Sequence, residues 1–416
     1  MTSSPLQRFF TRKKKKNPLG KQERILLYLL AAVNFTHIVD FMIMMPLGDS
    51  LTVYFDINMQ QFSILVSAYT LSAGVSGFMG AFFIDRFDRK TALIFTYTGF
   101  ALGTLACAIA PTYALLLITR SLTGFFGGLI GALVMSIVSD AVPFERRGEA
   151  MGIIMSAFSA ASVLGVPFGL YLNSLYSWHA PFFFLGSMSL MIGFLLYRLL
   201  PTLREHLEIG IPIKNPFVIL KNIFTDANQV NALLLGVALI IGQFMVIPFL
   251  APYMIRNVGF TEGQLVYIYL LGGGLTLFTA PIVGRLADKY GKLRIFTIFM
   301  LLTIIPIVLI TNMPKIHIAW ALVVTGMFFV FASGRMIPAQ AMITASVSSA
   351  RRGSFMSIQS STQQLSAGLS TFIGGLIIVE SSTKSLLNYQ YIGYFAIFTI
   401  IVAILIAPRL KVAEGN

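Results

Sequence analysis

One cysteine, Cys107, stands alone among 416 residues. An intramolecular disulfide is therefore impossible, and a cysteine metal cluster is excluded. Histidine is nearly as scarce: the four present are scattered, without carboxylate companions at ligand spacing, so no metal site is expected. Charged side chains make up only 11% of the chain, too few to clothe a water-soluble domain of this length. No Gly-x-x-x-x-Gly-Lys-Ser/Thr loop occurs, which removes direct use of ATP. No nucleophile–base pair or paired carboxylates occupy a plausible site, so an enzyme is not expected and no cofactor is implied. The longest polar stretch, roughly residues 200–228, is too short for a folded soluble module. The first apolar stretch is long enough to span and lacks a small-residue cleavage site, so no cleavable signal peptide is expected.

What fills the sequence instead is hydrocarbon. The chain is 56% hydrophobic, with 36 Phe and 35 Gly. A helix needs about 20 residues to cross roughly 30 Å of lipid. Twelve apolar stretches meet that length, near 25–47, 61–84, 91–110, 113–139, 150–172, 180–199, 229–255, 263–283, 294–313, 318–341, 354–379 and 391–407. The expected fold is an all-α integral membrane protein with its many glycines serving close helix packing.

The second half repeats landmarks of the first at an offset of roughly two hundred residues. Ala81-Phe82-Phe83-Ile84-Asp85-Arg86-Phe87-Asp88-Arg89-Lys90 returns as Gly284-Arg285-Leu286-Ala287-Asp288-Lys289-Tyr290-Gly291-Lys292. Glu145-Arg146-Arg147-Gly148 returns as Ala350-Arg351-Arg352-Gly353, Thr123-Gly124 as Thr325-Gly326, and Pro46 as Pro248. Two six-helix halves, residues 25–199 and 229–407, joined by a linker over 200–228, predict a secondary transporter whose central cavity lies between them. A basic tail covers 1–24 and a short tail 408–416.

The net charge of +14 is distributed unevenly. With the amino terminus taken as cytoplasmic, every Lys and Arg falls in a cytoplasmic segment except Arg256, Lys315 and Lys384 outside, and Arg120 and Arg335 within spans. This is the positive-inside pattern, so both termini are expected in the cytoplasm of a multi-pass protein of the plasma or inner membrane. The Arg12 to Lys16 run then reads as a topology determinant touching anionic lipid rather than a nucleic-acid site.

These features resemble the major facilitator superfamily, in particular its twelve-span drug:proton antiporter and sugar- and purine-efflux-like branches. The family loop after span two reads Gly-x-x-x-Asp-Arg-x-Gly-Arg-Arg/Lys. Asp85, Arg86, Arg89 and Lys90 match it, while Ala81 and Asp88 replace both glycines. After span eight, Gly284, Asp288, Gly291 and Lys292 all match. Span four carries Leu116-x-x-x-Arg120-x-x-Thr123-Gly124, and span five carries Gly165-Val166-Pro167-Phe168-Gly169. The resemblance implies two halves rocking about a central cavity, with a latch at Asp85 holding the cytoplasmic side shut against the start of span eleven near Ser354. Arg86, Arg89, Lys90, Gly284, Asp288, Gly291, Lys292 and Arg335 join Asp85 as candidate gate residues. The alternative is that these charges only set topology and cap turns. Pro46, Gly124, Gly165, Pro167 and Gly169 are expected to be structural, the span-five group bending the helix near the interface between the halves.

The ionisable residues within spans carry the functional argument. Asp40 lies about 10 Å beneath the outer surface, and Arg120 enters span four to about the same depth. Opposite charges at matched depth can pair, which relieves the cost of a lone ion in hydrocarbon. Asp40 is the candidate proton carrier, Arg120 its partner and His37 a candidate relay. In the resembled family fold spans one and four line the central cavity, so the pair is expected to face it; the alternative is a static pair that assembles the bundle. Asn34 and His37 share a helical face with Asp40. With Tyr69, Gln243, Gln359 and Gln363, Asn34 is expected to line the substrate cavity, although such groups also join helices in lipid. Arg335, deep toward the cytoplasm, is expected to snorkel to that interface. Proton-coupled efflux of a small hydrophobic or weakly charged molecule, by a monomer in the lipid bilayer, is the leading expectation. An importer or uncoupled facilitator on the same fold stays open, as does, more remotely, a membrane sensor.

Overall fold

The computed structural model describes residues 20–83, 86–143, 146–201, 216–348 and 352–413. The first half holds α1 (Lys21–Ile43), the short α2 (Gly48–Phe55), α3 (Met59–Phe83), α4 (Arg89–Ala108), α5 (Tyr113–Ala141), α6 (Arg147–Ala160), α7 (Val166–Leu175) and α8 (His179–Leu199). After the linker helix α9 (Pro216–Thr225) come α10 (Ala227–Tyr253), α11 (Glu262–Tyr290), α12 (Lys292–Thr311), α13 (Ile318–Ala345), α14 (Arg352–Ile377) and α15 (Tyr389–Ile406). Between α14 and α15, Val379–Glu380 and Leu386–Leu387 pair as a two-stranded antiparallel hairpin, the one departure from an all-α chain among the described residues.

Eleven helical segments among the described residues are long and apolar enough to cross a membrane. The expected eleventh span, α14, has the length, at 26 residues, but is more polar. It places Gln359, Ser361, Ser366, Ser370 and Thr371 in buried positions, where they meet other helices instead of lipid. Polar ends close the helices: Asp226 accepts from the Asn228 and Gln229 amides at α10, and Thr261 and Gln264 form a reciprocal capping box at α11. Asp88, which replaces a family glycine, is the N-cap of α4; its carboxylate accepts from Thr91 Oγ1 at 2.9 Å.

Successive spans alternate direction, which defines two faces. The basic face carries both ends of the described chain. The far face carries α2, Ile109–Thr112, Tyr176–Trp178, Arg256–Thr261 and the hairpin. One apolar core fills the basic-face side of the first half, and a larger one runs through the second half and across the far-face seam.

Small residues set the closest crossings. A Cβ on Gly124 would strike the Tyr69 carbonyl oxygen, and one on Gly128 the Ala73 carbonyl oxygen, so α3 and α5 touch backbone to backbone. Across the halves, Gly74 lies under Leu365, Gly77 under Ser361, Gly368 under Leu71 and Thr70, and Gly375 under Ser63. The α3–α14 contact therefore runs the length of both helices, as small-residue packing in lipid permits.

Pro167 bends span five in an unexpected way. A π turn over Ala161–Gly165 precedes it and separates α6 from α7. Proline cannot supply an amide hydrogen, and a single wide turn re-phases the helix around that gap. Gly165 and Gly169 do not face the other half, as expected from sequence; they clear Val39 and Ile43 of α1. The contact between halves here belongs to Gly273 of α11, which lies against the Ser162 carbonyl of the π turn.

Candidate functional site

Asp40 and Arg120 meet. Arg120 Nη1 donates to Asp40 Oδ2 at 2.9 Å, and Thr104 Oγ1 donates to Oδ1 at 3.1 Å. The carboxylate thus takes one charged and one neutral hydrogen bond, on helices α1, α4 and α5. The side chains of Asp40 and Arg120 are 0% and 1% exposed. Pairing them is what makes their burial tolerable, since removing either partner strands a charge in an apolar interior.

The pair was expected to face the central cavity; instead it is sealed inside the first half. Tyr69 of α3 lies across it, with the Arg120 guanidinium carbon 4.4 Å from the ring centroid, and Phe182 of α8 approaches from another side at 5.8 Å. A guanidinium over an aromatic face gains electrostatically while water is kept out. Tyr69 itself is buried, so it is a cover for the pair rather than an open cavity wall. Beyond it, Phe41 stacks on Tyr69 at 5.7 Å and reaches Phe244 of the second half at 5.8 Å. The path from pair to seam is therefore Tyr69, Phe41, Phe244.

His37 sits one turn below Asp40 on α1, half-buried, edge-on to Phe100 at 5.6 Å. Its Nε2 and the Tyr69 hydroxyl both approach the space above Gly127, and neither finds a partner among the described residues. Asn34 is buried on the same helix. In the second half, Gln359 Nε2 donates to Gln340 Oε1 at 3.4 Å, and the amides of Gln359 and Gln363 both lie near Gly236 of α10. Gln243 is half-buried, its Oε1 unpartnered among the described residues.

Other candidates stand apart from this site. Arg335 does not snorkel. It is 1% exposed within the second half, where Nη1 lies 4.0 Å from Met300 Sδ and Nε and Nη2 have no partner among the described residues. Its helix face turns inward onto α12, so the side chain has no route to the interface. Asp85 lies outside the described residues. Of its loop, Arg89 is buried and pairs with Asp140 of α5 at 3.3 Å, Lys90 lies 5.7 Å over the Tyr197 ring, and Arg86 is exposed. These contacts hold Arg89 and Lys90 against the first half. In the second copy, Gly291 adopts φ 95°, a positive-φ conformation that glycine takes without steric cost. Gly284 has open space above it. Asp288 and Lys292 are exposed, with no ion pair between them among the described residues. Lys292 instead lines a cleft with Gln340, Thr344, Arg352 and Val412.

One cluster escaped the sequence reading. On the far face, Arg256 holds Asp49 at 2.6 Å and Glu380 at 3.2 Å, and Glu262 accepts from Ser50 at 2.8 Å and Asn173 at 3.1 Å. The signal was present: Arg256 is a basic residue on the side that the charge pattern leaves nearly bare.

The sequence profile described as Major Facilitator Superfamily matches residues 29–331 and 232–414. The Bacillus subtilis (strain 168) protein named "Uncharacterized MFS-type transporter YceJ" is 25% identical over 381 residues, covering 91% of this chain and 94% of that protein. A "Probable sugar efflux transporter" of Helicobacter acinonychis (strain Sheeba) is 21% identical over 301 residues, covering 72% and 74%. Among solved structures, a D-xylose-proton symporter aligns with a TM-score of 0.76 at 16% identity, over 94% of this chain and 99% of its own. An inward-facing, occupied bacterial homolog of the human lysosomal transporter Spinster aligns at 0.73 and 14%, over 96% and 100%. The paired six-helix halves, their shared loop motif and this profile agree: the chain belongs to the Major Facilitator Superfamily, a multi-pass membrane transporter.

Proposed function

We propose that this chain is a proton-coupled exporter of a small, hydrophobic or weakly charged molecule, with Asp40 as the proton carrier and Arg120 as its counter-ion. The observation that carries the reading is the sealed pair itself. A carboxylate locked to a guanidinium and a threonine hydroxyl, under one aromatic cover, has two stable arrangements. With the proton absent, the ion pair holds α1 to α5. With a proton on Asp40 Oδ2, the Arg120 bond to that oxygen breaks, and the freed guanidinium must find another acceptor or meet water. Proton uptake and helix movement are thereby linked, as exchange across two faces requires.

The direction of transport is supported by the Helicobacter relative, whose name is "Probable sugar efflux transporter". The basic termini face the cytoplasm in this reading, because Lys and Arg gather on that face. One chain carries both halves of the pathway, so a monomer suffices. His37, one turn away, serves as a relay only if Tyr69 moves aside.

Proton flux into liposomes holding the purified protein tests the proposal, with lipophilic cations, sugars and nucleosides offered in turn to the chain and to Asp40→Asn. Substrate-driven proton movement that disappears in Asp40→Asn is expected. Undiminished flux in that variant removes Asp40 from the mechanism, and substrate movement without protons replaces antiport with facilitated passage.

A further inference from the structure

The far face carries little charge, and what it has is concentrated. Its described acidic residues are Asp49, Asp56, Glu262 and Glu380, and all but Asp56 stand in the seam between the halves. Arg256 is the hub. Its Nε donates to Asp49 Oδ1 at 2.6 Å, its Nη2 donates to Thr52 Oγ1, and its Nη1 lies 3.2 Å from Glu380 Oε1. Asp49 and Thr52 belong to the first half; Arg256 and Glu380 belong to the second. Glu380 also crosses the seam, accepting the Met59 amide of α3 at 2.8 Å. That amide is an open donor at the helix start, so a carboxylate there is favoured twice over.

A second crossing lies beside it. Glu262, in the first turn of α11, accepts from Ser50 Oγ and Asn173 Nδ2, and Asn173 also donates to Ser50 at 3.0 Å. Short α2 therefore presents Asp49, Ser50 and Thr52 together to the opposite half.

The backbone around Arg256 is built to hold it. A π turn, Met254–Val258, follows α10 and ends at Gly259 with φ 96°. Within that turn Asn257 makes two 2.9 Å bonds to the main chain of Leu386, which fixes the hairpin bearing Glu380 beside Arg256. The Arg256 side chain is only 8% exposed and those of Asp49 and Glu380 are 16% and 24%, so water screens these pairs weakly.

We propose that Arg256, Asp49, Glu380 and Glu262 form the gate that keeps the far face closed, with α2 as the element that must leave when it opens. The proposal rests on the family's two-sided transport but not on Asp40 as proton carrier. Opening parts Arg256 from Asp49 and Thr52, Glu380 from Met59, and Glu262 from Ser50 and Asn173, and it leaves Arg256 with Glu380 in one half.

The test reads accessibility, so it needs no known substrate. Phe41→Cys, at the residue that reaches across the seam to Phe244, reports access to a membrane-impermeant maleimide applied from either side of membrane vesicles. The native Cys107 is fully buried and stays silent. Arg256→Gln should raise far-side labelling of that cysteine at least tenfold and lower labelling from the basic side. Arg256→Lys, which keeps the charge, should fall between. The double variant Ser50→Cys/Glu262→Cys, oxidised, should abolish far-side labelling, and reduction should restore it. That reversible lock keeps the proposal testable if Arg256→Gln does not fold. Labelling unchanged by Arg256→Gln, or far-side labelling that persists in the oxidised pair, overturns the gate. If the gate holds while Asp40→Asn leaves proton flux intact, only the coupling reading fails.

Discussion

Cutting the Asp40–Arg120 pair from its two sides should give unequal results. In Asp40→Ala, the Arg120 guanidinium stays buried with nothing to neutralise it, because arginine does not lose its proton. Breaking a buried pair in this way costs about 3–5 kcal/mol. Here the upper part of that range is expected, since the site is sealed and the Arg120 Nε already lacks a hydrogen-bond partner among the described residues. The contact of Arg120 with the Tyr69 ring is present with and without Asp40, so it does not offset that cost. In Arg120→Ala, by contrast, the stranded group is a carboxyl that can take up a proton and keep its bond from Thr104. Its cost should be about 1–3 kcal/mol at low pH. It should grow by roughly 1.4 kcal/mol per unit of pH above the point where solution would otherwise leave the acid ionised. The double variant should cost less than the two single costs added, by about 0.5–3 kcal/mol. Reversible unfolding in mixed micelles, followed by helical ellipticity between pH 5 and 8, measures all four corners of the cycle. Equal costs for both single variants, independent of pH and additive in the double, would refute the ion-pair reasoning.

Cys107 is buried beside the pair, donating to Thr119 Oγ1 at 3.3 Å next to Arg120, and Tyr69→Ala should let a small thiol reagent reach it; unchanged protection in that variant counts against the cover. Gly124→Ala should lower thermal stability, because its methyl group meets the Tyr69 main chain rather than a movable side chain; overpacking of this kind costs about 1–3 kcal/mol. At the start of α4, Asp88→Ala should cost about 0.5–2 kcal/mol through loss of the cap, with Asp88→Asn close to neutral. An equal loss in both would mean that charge, not capping, is what Asp88 contributes there.

The sequence by itself determined the fold class and the repeat; of the twelve expected spans, eleven are long and apolar enough to cross a membrane among the described residues. Those follow from local quantities: the length of an apolar run against the thickness of a bilayer, and the recurrence of a loop motif. Matched depth also sufficed to bring Asp40 and Arg120 together, since two helices that share a bundle leave few other partners for opposite charges at one level. Depth along the span separated Arg120 from Arg335, but it did not show what either side chain would touch. Tertiary packing gave one a carboxylate and an aromatic cover and left the other facing α12. Whether the pair opened to the cavity was equally illegible, because that depended on the rotation of α3 and on where Tyr69 fell. The Gly165 and Gly169 surfaces were foreseen, but their partner was α1 and not the other half, because helix rotation about its axis is set by every neighbour at once. The far-face cluster lay furthest from view. Its members are spread from Asp49 to Glu380 on five separate segments, and no spacing along a chain encodes contacts made when two halves close upon each other.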